Sequence, residues 1–379
     1  MDLEHSFSPV YTRALVRRGN SAFAVLGVNA TETQSSIDAA LGFGILWLEA
    51  SRRICPAWIV IEGLRLFVPP GTSAVLQQRM ANLNRDLAKW ELYELDERSE
   101  QLTPVDTSDA GTIATRLVHA PEEPAVLQRF AASIAQVLAV VPEADPVVIS
   151  ATELVFRLHG LHFAGARIRA TRESFRPAEQ LYFGGRAAEF PVDEDNQNAF
   201  RDYLRHIAER RNSRDRSDPI HRAVPERWIE SMIVRDVTVL DSRLDGLHVY
   251  SQVPAFAACD RAMIDVLTAT RDARLAVVEL KADEDIHLPL QGLDYWARVR
   301  WHHQRREFQQ FGYFAGRELS TADPLLFLVA PALRIHPTTD QILHYLSPEI
   351  DWTLLAIDER WRDGIRVIFR KHSPKQLSI

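Results

Sequence analysis

The sequence predicts a mixed α/β protein of the α+β class, with β-sheets flanked by helices and the chain divided into a large N-terminal region and a C-terminal domain. Three observations carry this expectation. Short apolar runs bounded by turn residues alternate along the whole chain with longer stretches of helical period. The length of 379 residues, 46% hydrophobic and 25% charged, suits two or three ordinary globular cores. Residues 210–221, RRNSRDRSDPIH, are polar, arginine-rich and closed by Asp-Pro, the composition of a linker. The division that follows is an α+β region of unknown fold at 1–210 with a recognition or regulatory role, a linker at 211–223 and a domain at 224–379.

Composition also excludes some classes. A formal net charge of -7 and a pI near 6.0 do not suit a protein that coats nucleic acid through bulk charge, so contact with a polyanion has to come from a local patch. No run approaches the roughly 20 apolar residues of a membrane span, and MDLEHSFSPV lacks the basic and apolar regions of a signal peptide. The expectation is a cytoplasmic protein without a membrane partner. Cys55 and Cys259 form no CxxC pair, which fits reduced thiols and excludes a cysteine-based zinc knuckle.

In order along the chain, strands are expected at 23–28, 44–48, 58–68 and 90–95, and a helix at 73–87. PPGTS at 69–73 lacks the Gly-Lys-Ser/Thr ending of a phosphate loop and reads as a turn and helix cap. The loops at 103–112 and 120–124 mark a subdomain boundary near 104–122. A helix at 126–140, strands within 151–169 and a helix at 200–211 follow. EGLRLF at 62–67 and HGLHFA at 159–164 are faintly alike, which six residues do not make a repeat. His159 and His162, three apart on a strand, face opposite sides and read as structural.

The C-terminal unit begins with a helix at Pro225, where proline suits the first turn and Glu226 the positive end of the dipole. Glu226 and Glu230, four apart, share a face beside the apolar stripe Ile229, Ile233 and Val237. A strand at 248–256 precedes a hairpin, and a long helix at 290–314 carries Gln291 and Tyr295 on one face near its N-terminus. A central strand at 325–330, a helix at 340–346 and strands at 352–357 and 364–370 close the unit. Arg298, Arg300, Arg305, Arg306 and Arg317 interleave with Trp301, Phe308 and Tyr313. That pattern suits a phosphate backbone with stacking bases, or an amphipathic helix with core aromatics and solvated arginines.

The hairpin at 262–281, AMIDVLTATRDARLAVVELK, holds charges that do not belong on apolar strands. Period-two geometry puts Leu275, Val277, Glu279 and Lys281 on one face. A turn centred on Asp272 sets Asp265 opposite Glu279, with Cβ atoms roughly 5 Å apart. Two opposed carboxylates are destabilising unless a cation lies between them or one stays protonated, and a hard divalent metal is the economical explanation. Of 44 basic residues only Lys89, Lys281, Lys371 and Lys375 are lysine, and Lys281 alone follows an acid by two positions. In a chain that writes its positive charge as arginine, a compact ammonium there reads as chemistry.

The order of helix with Glu230, strand, strand with Asp265, strand with Glu279 and Lys281, and helix with Gln291 and Tyr295 resembles the PD-(D/E)XK nuclease superfamily. QGLDYW at 291–296 is similar to the QxxxY motif of its RecB-like members, while Ile264 stands where the motif has a nominal proline. The resemblance spans about 224–372. It implies a restriction-endonuclease-like mixed sheet flanked by helices and a Mg²⁺- or Mn²⁺-dependent phosphodiesterase acting on nucleic acid, DNA before RNA. On that resemblance Asp265, Glu279 and the Leu280 carbonyl bind the metal, Glu230 adds an outer or second-metal contact, and Lys281 positions or helps deprotonate the attacking water. Gln291 and Tyr295 orient the site and contact the phosphate. Whether Glu226 or Glu230 is the helix acid stays open, as does a homo-oligomer. Two other readings stay open too: a non-catalytic nucleic-acid- or protein-binding module on a nuclease fold, and a buried structural ion pair in an unrelated α/β protein.

Overall fold

The computed structural model describes residues 10–111, 115–170, 177–185, 188–257 and 263–374. Cys259 lies outside them. Three mostly β sheets flanked by helices give the α+β class expected from the sequence.

The first unit runs β1 (Tyr11–Arg18), β2 (Ser21–Val28), α1 (Gln34–Ile54), β3 (Val60–Val68), α2 (Ala74–Ala81), β4 (Lys89–Asp96) and β5 (Gln101–Val105). β2, β3 and β4 are parallel, with antiparallel β1 and β5 at the edges. The strand expected at 44–48 is instead the middle of α1. Its apolar residues belong to a helical stripe of Ile37, Leu41, Ile45 and Leu48, started by Thr33 accepting from Ser36 N–H. A short apolar run is ambiguous by period alone, and helix length decides it here. α2 stops at Ala81, short of the expected 87, because Asn82–Asn84 turn to pair with Tyr345 and Ser347 of the C-terminal unit. Ser73 precedes α2 but gives its hydroxyl to Glu94, at 2.6 Å, and does not cap the helix.

After β6 (Thr115–Leu117) come α3 (Glu123–Arg129), α4 (Ala131–Leu138), the strands β7 (Asp145–Ser150), β8 (Glu153–Leu158), β9 (Leu161–Ala170), β10 (Pro177–Gly185) and β11 (Ala188–Pro191), and the helices α5 (Gln197–Arg211) and α6 (Pro219–Arg222). The helix expected at 126–140 is interrupted at Phe130, whose side chain is fully buried. β7 to β11 form an antiparallel meander with its own apolar core under α3–α5. EGLRLF belongs to parallel β3 whereas HGLHFA opens with the β8–β9 turn, so the two are not equivalent.

The C-terminal unit contains α7 (Pro225–Arg235), β12 (Tyr250–Ala257), β13 (Met263–Ala269), β14 (Leu275–Leu280), α8 (Leu288–Gln304), α9 (Glu307–Gln310), β15 (Leu325–Pro331), α10 (Thr339–His344), β16 (Trp352–Ile357) and β17 (Val367–His372). α8 ends ten residues early relative to 314, where Arg306 takes a left-handed conformation at φ 56°. The seven-stranded sheet has the order β17-β16-β15-β14-β13-β12-β6, parallel across β14-β15-β16 and antiparallel elsewhere. α7 covers one face. The other face shares a single hydrophobic core with α8, α10, α1, α2 and the first sheet.

The cores therefore cut across the division read from the chain. Residues 11–105 are fused to the C-terminal sheet, and the meander forms the separate core. Residues 211–223 are folded rather than extended: Arg211, fully buried, donates to the carbonyls of Ile220, Ala223 and His159.

Candidate active site

The β13–β14 hairpin sets the frame. Its turn closes through Thr270 N–H to the Arg274 carbonyl at 2.7 Å and Arg274 N–H to Thr270 Oγ1 at 3.0 Å, with Ala273 at φ 66°. The strands pair from Ala269–Leu275 to Val266–Val278, the register that a turn centred on Asp272 demands. The same register carried one step past that ladder turns Asp265 toward Glu279, the two carboxyls acting on each other, and Leu280 N–H donates to Asp265 Oδ2 at 3.2 Å. Every residue of β14 is buried, so Glu279 enters the core on the face of Leu275 and Val277.

β12 supplies a residue that sequence reasoning missed. Ser251 pairs with Val266 and Val253 with Ile264, and Gln252 between them, opposite Asp265, sits at φ 53°. A left-handed non-glycine residue costs roughly 1–3 kcal/mol and persists only where its surroundings hold it. Here carboxylates hold it: Gln252 Nε2 donates to Glu230 Oε2 at 2.9 Å and to Asp265 Oδ1 at 3.3 Å. Nothing in the strand pattern of residues 250–257 signals that backbone.

α7 brings in the helix acids. Trp228, Ile229 and Ile233 bury its apolar stripe against the sheet, which carries Glu230 inward to 3% exposure. Arg227 pairs with Glu230 Oε2 at 2.7 Å. Glu226, one turn earlier and exposed, takes a hydrogen bond from Ala282 N–H and adds its charge to the surroundings of Lys281. The two glutamates thus flank the hairpin end, and Glu230 meets Asp265 only through the Gln252 amide.

α8 lies close on β14 and β15 because residue 292 is glycine. A Cβ there would stand 2.4 Å from Leu328 Cδ2 and 3.3 Å from Leu326 Cδ1. A glycine inside a helix costs about 1 kcal/mol relative to alanine, so its place inside QGLDYW was a readable sign of close packing. The approach puts a Cβ at position 292 within 3.6 Å of Glu279 Cβ and brings Tyr295 into the field of Glu279 and Asp265, and Gln291 Oε1, next to Gly292 in the chain, is buried without a hydrogen-bond partner. From the far side, Arg79 of α2 clamps α8 through a buried pair with Asp294, at 2.7 and 3.0 Å.

Burial first, then the neighbouring Asp265 charge, push the Glu279 carboxyl well above the usual carboxylate range. Burial raises Asp265 too, against the pull of Leu280 N–H and Lys281. Glu230 is raised by burial and by Asp265, with Arg227 opposing. For Lys281 burial works against the charge, but the Glu279 and Glu226 carboxylates outweigh it and hold the ammonium above its ordinary value, with Nζ 3.0 Å from Glu279 Oε1. Burial and the charges of Glu279 and Asp265 keep the Tyr295 hydroxyl protonated, a donor. Glu279 Oε2 is buried with no donor of its own. Two carboxylates facing each other are reconciled by a shared proton or by a cation.

No protein-family model and no curated protein matches the chain. What the site does has to be argued from its own residues. Among the described residues, no three His, Cys, Asp or Glu side chains gather as a self-sufficient metal cage. A Mg²⁺-like ion does not need one, since it keeps several waters and takes one or two carboxylates. Asp265 and Glu279, hard oxygens with an unpartnered Oε2 between strands, suit that demand, with the Leu280 carbonyl next in the chain.

Much of the arginine-rich stretch is engaged within the fold, while Arg305 and Arg306 stay exposed. Arg298 is buried, Arg300 pairs with Asp323 at 3.0 Å, and Arg317 pairs with Asp245. Phe308 and Tyr313 are core, and Arg305 stacks on Trp301 at 3.2 Å. His159 and His162 share no site: His159 stacks on Trp228 and bonds Asn212 at 2.8 Å, while His162 meets Tyr182 edge-on. No helix among the described residues is long and apolar enough to cross a membrane.

Proposed function

We propose that the chain is a metal-dependent nuclease of restriction-endonuclease-like fold that hydrolyses phosphodiester bonds of nucleic acid, DNA first. The observation that carries this reading is the paired Asp265 and Glu279 at the hairpin end, a buried carboxylate oxygen without a donor, and Lys281 against it. A seven-stranded mixed sheet with helices on both faces, bearing that pair at the end of its central hairpin, supports the fold assignment.

Asp265, Glu279 and the Leu280 carbonyl would hold Mg²⁺ or Mn²⁺, which supplies polarisation of the phosphoryl oxygen and a more acidic water. Lys281, kept charged by Glu279 and Glu226, donates to the phosphoryl oxygen where negative charge develops, and so acts as a cation rather than as a base. Tyr295 donates its hydroxyl to the same group, and the unpartnered Gln291 Oε1 orients a water. Gln252 fixes Asp265 and Glu230 relative to each other.

Cleavage of plasmid and linear DNA in Mg²⁺ or Mn²⁺, set against EDTA, tests this with Asp265→Ala and Lys281→Ala. Loss of cleavage in both variants is expected, and cleavage that survives them refutes the site. One observation favours the second reading, a binding module without turnover: Glu230 is already committed to Arg227 and Gln252. DNA binding without metal-dependent cleavage would decide for it.

A further inference from the structure

Beside the acidic site lies a basic trench that the hydrolytic reading does not use. Two cavities of about 260 and 350 Å³ share the walls Arg216, His221 and Arg362. Pro225 and Ala282, the chain neighbours of Glu226 and Lys281, line the first of them, so the trench opens next to the hairpin end. Two guanidiniums lie against Trp228, Arg211 at 4.2 Å and Arg362 at 5.3 Å from the ring centre. Among the described residues Arg211 donates hydrogen bonds to carbonyl oxygens alone.

Positive charge here is under-compensated. Arg222 and Arg334 form no ion pair among the described residues, and Arg216 reaches Asp363 only at 3.7 Å in solvent. Arg362 Nε is buried without a partner. His221, 7% exposed, has its Nδ1 bound to the Arg211 carbonyl at 3.0 Å, which leaves a buried Nε2 unpartnered at the cavity wall. The wall acids are Asp283 and Asp363, which are exposed, and Glu359, which accepts from Leu333 N–H at 2.7 Å. Burial, with Arg362 nearby, pushes the Arg211 guanidinium down to about 9, a sign of how little negative charge faces this cluster. Converging guanidiniums with unfilled donors are a phosphate-recognition chemistry.

We propose that Arg216, Arg222 and Arg362 form a subsite for a phosphate of the nucleic-acid strand flanking the bond cut at Asp265 and Glu279. This rests on the nuclease reading. It adds that the strand is gripped on the α6–α7 side, away from the arginine-rich α8.

The test is binding of fluorescent single-stranded DNA by the full chain in EDTA, with 5′-phosphorylated, 5′-hydroxyl and circular strands as probes. Arg216→Gln/Arg222→Gln changes two exposed side chains, and Arg53→Gln/Arg201→Gln is a control with the same loss of charge elsewhere. The trench variant should bind about tenfold or more weakly, and its dependence of log K on log salt should flatten by roughly 1.4, two lost contacts at about 0.7 each on a single strand. The control should stay near wild type. A loss confined to the 5′-phosphorylated probe assigns the trench to a terminal monoester, and an equal loss on circular DNA assigns it to an internal diester. Trench and control variants that bind alike, or a wild type that binds no probe, overturn the subsite. Wild-type cleavage alongside that result leaves the nuclease reading standing, whereas trench-dependent binding without cleavage in any metal overturns that reading and keeps an anion site.

Discussion

Glu279→Gln should make the metal-free protein more stable at pH 8. In the wild type, Glu279 is 1% exposed, faces Asp265 across the hairpin and leaves Oε2 without a donor. Its raised proton affinity, and that of Asp265, fix the sign. Stability from a carboxyl whose folded pKa exceeds its unfolded one is fully present below the unfolded value, about 4 for these acids, and is lost as pH rises through the folded value. An amide keeps the acceptor for Lys281, puts a donor toward Asp265 and carries no charge to desolvate. Removing one buried orphan is worth roughly 1–3 kcal/mol. At about 2–4 °C per kcal/mol, a 2 kcal/mol gain raises Tm by roughly 4–8 °C. Calorimetry of both proteins at pH 5 and pH 8, in EDTA, should show the gain at pH 8 and little at pH 5. Excess Mg²⁺ should then stabilise the wild type, by about 2.7 kcal/mol at a hundred times Kd, and the variant far less. A variant destabilised equally at both pH values, or one that gains as much from Mg²⁺ as the wild type, refutes the argument.

Three further outcomes follow from the same geometry. Arg79→Met leaves half-buried Asp294 without its partner between α2 and α8, and a loss of about 1–3 kcal/mol is expected in chemical denaturation, with weaker cleavage because Gln291 and Tyr295 ride on α8. Gly292→Ala drives a methyl into Leu328, so a loss of roughly 1–3 kcal/mol should appear in the same assay, and a neutral result would refute the close approach of α8 to the sheet. Gln252→Gly relieves the left-handed backbone while deleting the amide between Glu230 and Asp265; stability should change by less than about 1 kcal/mol while cleavage falls at least tenfold, and full activity would remove Gln252 from the site.

Local rules carry the hairpin a long way. Its register follows from two apolar runs and the turn between them, since strand pairing is set by the turn and by which face is apolar. Pro225 and the Gln291–Tyr295 spacing are legible for the same reason: each depends on neighbours within a few residues. The lapses are equally physical. Residues 44–48 look like a strand because five apolar residues fit either period, and only packing against the first sheet and α10 makes them helix. The arginines after α8 begins look like a polyanion surface because sequence shows their charge and hides Asp323 and Asp245, which pair with them from 23 and 72 positions away.

What the sequence alone determined, then, is the class of fold and the alignment of Asp265, Glu279 and Lys281 on one hairpin. Tertiary structure decided the rest: that Gln252 joins Asp265 to Glu230, that Arg79 holds α8 from a unit some two hundred residues earlier, and that Arg211 of the presumed linker lies over Trp228. Those contacts depend on how separate elements pack, and burial and charge balance in a packed core are properties of all its walls at once.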